Sequence, residues 1–125
     1  MDLKNMISSE EKIRIVQELV PGKQITLAHI IASPDPTIYK KLGLNPDLDY
    51  ARSAIGILTT SPSEVSVIAG DLAIKTANVE LGFIDRFSGT LIITGKVSEV
   101  EASIQAIIKY TKENLGFTIC ELTRT

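Results

Sequence analysis

Residues 54–95 read without interruption as strand, helix and hairpin, and this unit constrains the fold more than any other part of the chain. Residues 54–60 are apolar and β-branched around one glycine, long enough for a buried strand and too short for a helix. Ser61, Pro62, Ser63 and Glu64 then predict a helix start. Ser61 would be the N-cap, Pro62 would stand at the first helical position, where its missing N–H costs nothing, and Glu64 would close a capping box. Val65, Ile68, Ala69, Leu72, Ala73 and Thr76 recur at helical spacing as one core-facing stripe, ended by Asn78. Residues 79–85 alternate, with Val79, Leu81 and Phe83 on one face and Glu80, Gly82 and Ile84 on the other. Residues 90–94 answer as the second arm of a hairpin closed by Arg86, Phe87, Ser88 and Gly89.

The flanking segments extend this unit. Residues 13–20, IRIVQELV, fit two templates: a helix capped at Ser9, or a strand with Ile13, Ile15, Gln17 and Leu19 along one side. Residues 24–32 alternate as a strand, with Ile25, Leu27, His29 and Ile31 opposite Thr26, Ala28 and Ile30. Asp35 and Pro36 open a short helix that Gly43 closes, and residues 45–52 read as an exposed loop. Ser98 and Glu101 form a second capping box before a helix with the stripe Val100, Ile104, Ile107, Ile108, Thr111 and Leu115, stopped by Gly116. Residues 117–123 read as a closing strand. The sum is an α+β domain, two helices on one face of a mainly antiparallel sheet of four or five strands.

Composition removes several classes of function. With 125 residues the chain is one domain, and 15 acids against 13 Lys and Arg offer no basic stripe for nucleic acid. No apolar run is long enough to span a membrane, and a single cysteine with no apolar leader points to the cytoplasm. His29 is the only histidine, so neither a zinc site nor a nucleophile with its base can be assembled around it, and a hydrogen-bonded core role is expected. Cys120 reads as a small buried hydrophobe. No glycine-rich phosphate loop occurs, and Glu99 and Glu101 are explained as first-turn residues. The residues call for no cofactor, no metal and no catalysis. A surplus of apolar surface remains: Val67 and Ile74 lie off the core stripe beside Asp71, and Leu58 and Ile30 oppose their core neighbours. Burial of that surplus against copies of the same chain is expected.

The wording of the central unit resembles the bacterial microcompartment shell domain, on residues 71–81 (DLAIKTANVEL) and on Phe87, Ser88 and Gly89. Residues 21–33 (PGKQITLAHIIAS) and the ending GFTICELTRT resemble its circularly permuted subclass, particularly the small shell proteins of ethanolamine-utilisation compartments and next those of propanediol utilisation. The resemblance covers roughly residues 13–125. It implies a permuted ferredoxin-like domain over residues 21–125, preceded by a tail and pore-capping strand over residues 1–20. It further implies a structural, non-enzymatic tile in the shell of a cytoplasmic compartment, with no nucleic-acid or membrane partner. Such a tile would be a homohexamer that meets other shell proteins and offers a surface to encapsulated enzymes. In that reading Arg86, Phe87, Ser88 and Gly89 form the loop at the pore and Lys75 sits at the tile edge. Ile13, Ile15, Gln17 and Leu19 line a small barrel over the pore. Ser33 stands before Pro34 where ordinary tiles tend to carry an arginine. The competing reading is an oligomeric ferredoxin-like sensor, which would hold a metabolite at a polar loop between strand and helix; here that loop is the short residues 59–63.

Overall fold

The computed structural model describes residues 23–44 and 53–125. Residues 1–22, with the 13–20 segment, and the 45–52 loop lie outside the described residues. The elements in chain order are β1 (Gln24–Ile31), α1 (Pro36–Leu42), β2 (Ala54–Ser61), α2 (Val65–Thr76), β3 (Glu80–Asp85), β4 (Thr90–Gly95), α3 (Val97–Leu115) and β5 (Thr123–Arg124). Five strands form one sheet in the order β3-β4-β2-β1-β5, antiparallel throughout except for β1 with β5.

The two long helices cover one face of the sheet. Ile104 and Ile107 of α3, Ala69 and Ala73 of α2, and Ile30, Leu58 and Ile93 of the strands share a single core. The α3 stripe is as predicted, with Val100, Ile104, Ile107, Ile108 and Thr111 buried and Gly116 ending the helix at φ 70°. Gly56 lets α3 come close, because a Cβ there would strike Val100 and Ile104. The short α1 lies on the opposite face, where Tyr39 and Leu44 pack on Ile55 and Ile92. Asp35 caps α1 as expected, its Oδ1 accepting from the Thr37 N–H at 2.9 Å, and Gly43 closes it at φ 68°.

Several expectations are corrected. Leu58 and Ile30 belong to the core rather than to a second surface, each 1% exposed, because the long helices cover the face on which they lie. The α2 stripe is rotated: Val65, Ser66, Ala69, Gly70 and Ala73 are buried, whereas Ile68 is 44% exposed and Thr76 lies at the surface. Small residues win that arc because α2 approaches both the sheet and α3, whose Ser103 hydroxyl donates to the Ala73 carbonyl at 3.1 Å. Ser61 does not cap α2; it is the last residue of β2, and the chain turns through Pro62, Ser63 and Glu64 before the helix begins. Nor does Ser98 cap α3, which starts at Val97, and Glu99 instead accepts the Asn78 N–H at 2.8 Å. Register shifts at Ile25/Leu27 and Leu81/Phe83 break the two predicted alternations. Ile25 thereby joins Ala28 and Ile30 in the core, and Phe83 pairs with Ile92 while Leu81 and Ile84 approach Gly70 of α2. The closing strand is reduced to Thr123 and Arg124, with an isolated bridge from Thr118 to Gln24.

Candidate functional site

Arg86, Phe87, Ser88 and Gly89 form the tip of the β3–β4 hairpin, and the chain itself fixes their geometry. The Gly89 N–H donates to the Asp85 carbonyl at 2.9 Å, and the Thr60 N–H donates to the Gly89 carbonyl at 2.8 Å. Gly89 sits at φ 76°, and a Cβ there would overlap the Thr60 carbonyl oxygen, so this position requires glycine. Asp85 Oδ1 accepts the Phe87 N–H at 2.8 Å. That bond, and next one from the Ser88 hydroxyl, hold the Asp85 carboxyl below the usual carboxylate range. Ser88 Oγ is also hydrogen-bonded to Thr90 Oγ1 at 3.0 Å. Phe87 is 79% exposed, with the Arg86 guanidinium 4.8 Å from its ring centroid.

Asp85 and Thr60 are the tip residues that sequence reasoning missed. An aspartate immediately before a four-residue turn is a signal for such side-chain capping and was available. Thr60 carries no local signal, because its role depends on β2 lying beside β4. The same contact bears on a sensor: the turn after β2, where a metabolite would be held, is packed against Gly89.

Lys75 lies far from the tip, in the last turn of α2, exposed and paired to Asp71 at 2.8 Å. Hydrogen bonding to Asp71, then its charge, raises the Lys75 pKa. Val67 and Ile74 flank this pair at 50% and 51% exposed, so half of the expected surplus apolar surface is present. The barrel residues Ile13, Ile15, Gln17 and Leu19 lie outside the described residues. His29 is half-buried and clasps the C-terminus, Nδ1 at 2.6 Å from Thr123 Oγ1 and Nε2 at 2.9 Å from Thr125 Oγ1. Cys120 is half-buried and burial pushes its thiol pKa up, which disfavours a reactive thiolate. Among the described residues no three His, Cys, Asp or Glu side chains converge as metal ligands, and no helix is long and apolar enough to cross a membrane.

The register of the sheet places the start of β1 at the tip end of the molecule. Gln24 pairs with Ser61, next to the Thr60 that holds Gly89. Gln24 therefore lies about two strand spacings from Gly89, roughly 10 Å.

Comparison with known proteins agrees with this fold. The BMC domain model matches residues 54–122. The bacterial microcompartment shell protein PduU of Salmonella typhimurium is 52% identical over 112 residues, covering 90% of this chain and 93% of the relative. The shell protein EutS of Escherichia coli is 49% identical over 115 residues, covering 92% and 99%. A solved structure described as the CutR flat hexamer superposes with a TM-score of 0.78 at 42% identity, covering 85% of this chain and 94% of that one. By fold, by domain match and by similarity along nearly its whole length, this chain belongs to the BMC-domain family of bacterial microcompartment shell proteins.

Proposed function

We propose that this chain is a structural tile of a microcompartment wall, a homohexameric ring with the β3–β4 tip at its axis and Lys75 at its rim. The observation that carries the reading is similarity to shell proteins over 90% or more of the chain, together with a superposable relative solved as a flat hexamer. The tip suits an axial position because its shape is set within one copy, so six copies can converge without rearranging. Ser88 and the N–H groups around it would line an opening with polar donors, favouring small polar or anionic solutes.

The 13–20 segment covers that opening in this reading, six strands closing into a small parallel barrel with Ile13, Ile15, Gln17 and Leu19 inward. Two observations support it. β1 begins at the tip end of the sheet, and the two residues between Val20 and Lys23 can bridge about 10 Å when extended. An apolar row can fill so narrow a bore, and closure leaves no strand edge open. The tile then contributes wall, gating or docking surface for encapsulated enzymes and neighbouring shell proteins rather than free passage. An ethanolamine-utilisation compartment is the proposed setting, on the resemblance of residues 21–33 and of the C-terminal ending; identities of 49% to EutS and 52% to PduU leave that choice to the enzymes that co-purify with the shell.

Hydrogen exchange over residues 13–20 tests the barrel. Slow exchange that depends on the ring and disappears in Ile15→Asp, which would bury six carboxylates around one axis, is expected. Rapid exchange in an intact wild-type ring rules the barrel out and leaves the tile standing.

A further inference from the structure

We infer that Ser66 is a positioning residue for the hairpin tip: through its hydroxyl, α2 rather than the hairpin alone sets where the tip stands, and hence how the tips face one another. The part that concerns neighbouring tips rests on the ring reading above; the hold of α2 on the tip does not.

The tip needs a hold that its own strands do not supply. β3 is an edge strand with β4 as its one neighbour among the described residues, and the register shift at Leu81/Phe83 interrupts that pairing shortly before the tip. A bulge bends its strand and raises the local twist, so the ladder by itself leaves the direction of the β3 end loosely set. The tip stands on two feet, Asp85 at the end of β3 and Gly89 just before β4. The Gly89 carbonyl accepts the Thr60 N–H and is thereby fixed by β2. The Asp85 carbonyl accepts the Gly89 N–H at 2.9 Å and the Ser66 hydroxyl at 3.2 Å. Among the described residues, Ser66 is the one side chain outside the hairpin that hydrogen-bonds to Asp85.

The choice of partner singles Ser66 out. A helical Ser or Thr can return its hydroxyl to a carbonyl three or four residues back. Thr76 and Thr111 do so, onto Leu72 at 2.5 Å and onto Ile107 at 2.8 Å. Ser66 is 0% exposed, so its hydroxyl has to be satisfied within the protein, and it is directed to the tip instead of to its own helix. The start of α2 reaches the other foot as well. Thr60 Oγ1 donates to the Pro62 carbonyl at 3.2 Å, and that carbonyl accepts the Val65 N–H at 3.1 Å. Towards the far end of the helix Ser103 of α3, also 0% exposed, donates to the Ala73 carbonyl, two residues before Lys75. Two buried serines therefore tie α2, one to the tip and one to α3. In a ring, a contact that shifts α2 is carried to the tip along this path, and a change in the opening between tips acts back on α2 by the same coupling.

Ser66→Ala tests the hold, with Ser103→Ala as the control that loses a buried serine bond of the same kind elsewhere on α2. Hydrogen exchange of the Phe87 and Gly89 amides is expected to speed up about five- to tenfold in Ser66→Ala, the scale of one lost hydrogen bond, and to stay within about twofold of wild type in Ser103→Ala. In rings spin-labelled at Ser88→Cys, carried on Cys120→Ser, the label distances are expected to broaden with Ser66→Ala and not with Ser103→Ala. Equal acceleration in the two variants would reduce Ser66 to a general support of the fold and overturn the inference, as would tip amides left unchanged in a folded Ser66→Ala. Native-state exchange of the wild-type protein decides the matter without a variant. The Gly89 N–H is expected to open with the same denaturant dependence as the amides of α2, and Gly89 opening while α2 stays closed would overturn the inference. A wild-type chain that is monomeric, or whose Ser88 labels lie far apart, defeats the ring reading instead, and the exchange results still decide the role of Ser66.

Discussion

The hairpin tip and the outer face of α2 are both exposed, yet they differ in what completes them. The tip is held from within: Thr60 grips Gly89, Asp85 caps Phe87, and glycine occupies the one position where a side chain would collide. The outer face of α2 carries an ion pair along the helix, between Asp71 and Lys75, and it leaves Val67 and Ile74 half in water. A surface whose geometry is fixed inside one chain can be presented to an axis or an opening. Apolar side chains left half in water have the character of a surface that association can cover.

The largest effect expected from this contrast is at the tip. Gly89→Ala forces a positive φ on a residue with a side chain, about 1–3 kcal/mol, and adds a collision with Thr60. Denaturation of the single chain should therefore show a clear loss of stability; an unchanged midpoint would mean that the tip is not braced from within. On α2 the opposite pattern is expected. Val67→Ala with Ile74→Ala should leave the stability of the dissociated chain within roughly 0.5 kcal/mol. The chain concentration at which rings dissociate should rise about tenfold, about 1.4 kcal/mol. A large fall in single-chain stability would place those side chains in the chain's own packing and erase the contrast.

Smaller effects sharpen it. Lys75→Ala removes an exposed pair and should leave both chain stability and rings intact while abolishing extended sheets in electron micrographs; sheets that persist would remove Lys75 from the edge. The smallest effect is titration of Asp85. Its carboxyl is held below the usual range in the folded chain, so its contribution is complete above the unfolded-state value and is lost only as pH falls through the lower folded one. Protection of the Phe87 amide should follow that acid titration and lose its pH dependence in Asp85→Asn.

Much of this contrast is legible in the sequence, and the part that is not has definite causes. The α3 stripe, the Asp35 and Gly43 caps of α1 and the hairpin with its four-residue tip follow from local chemistry, and so do Val67 and Ile74 as exposed apolar residues. The faces of Ile25 and Phe83 do not, because one bulge inverts every later position of an alternating pattern and leaves no mark in the pattern itself. Leu58 and Ile30 were expected at a second surface because alternation says that two faces differ and not which one the helices cover. Ser61 and Ser98 have the chemistry of caps, but cap bonds compete with strand pairing at Ser61 and with the helix beginning two residues earlier than a Ser98 cap would start it, at Val97.

The most direct test of the account is the distance between tips in the assembled protein. Ser88→Cys, carried on Cys120→Ser and spin-labelled, should give native particles of six times 13.6 kDa with strong short-range coupling between labels, as six tips converging on one axis require. Native hexamers whose Ser88 labels are far apart and uncoupled would place the tip on the rim and contradict the account.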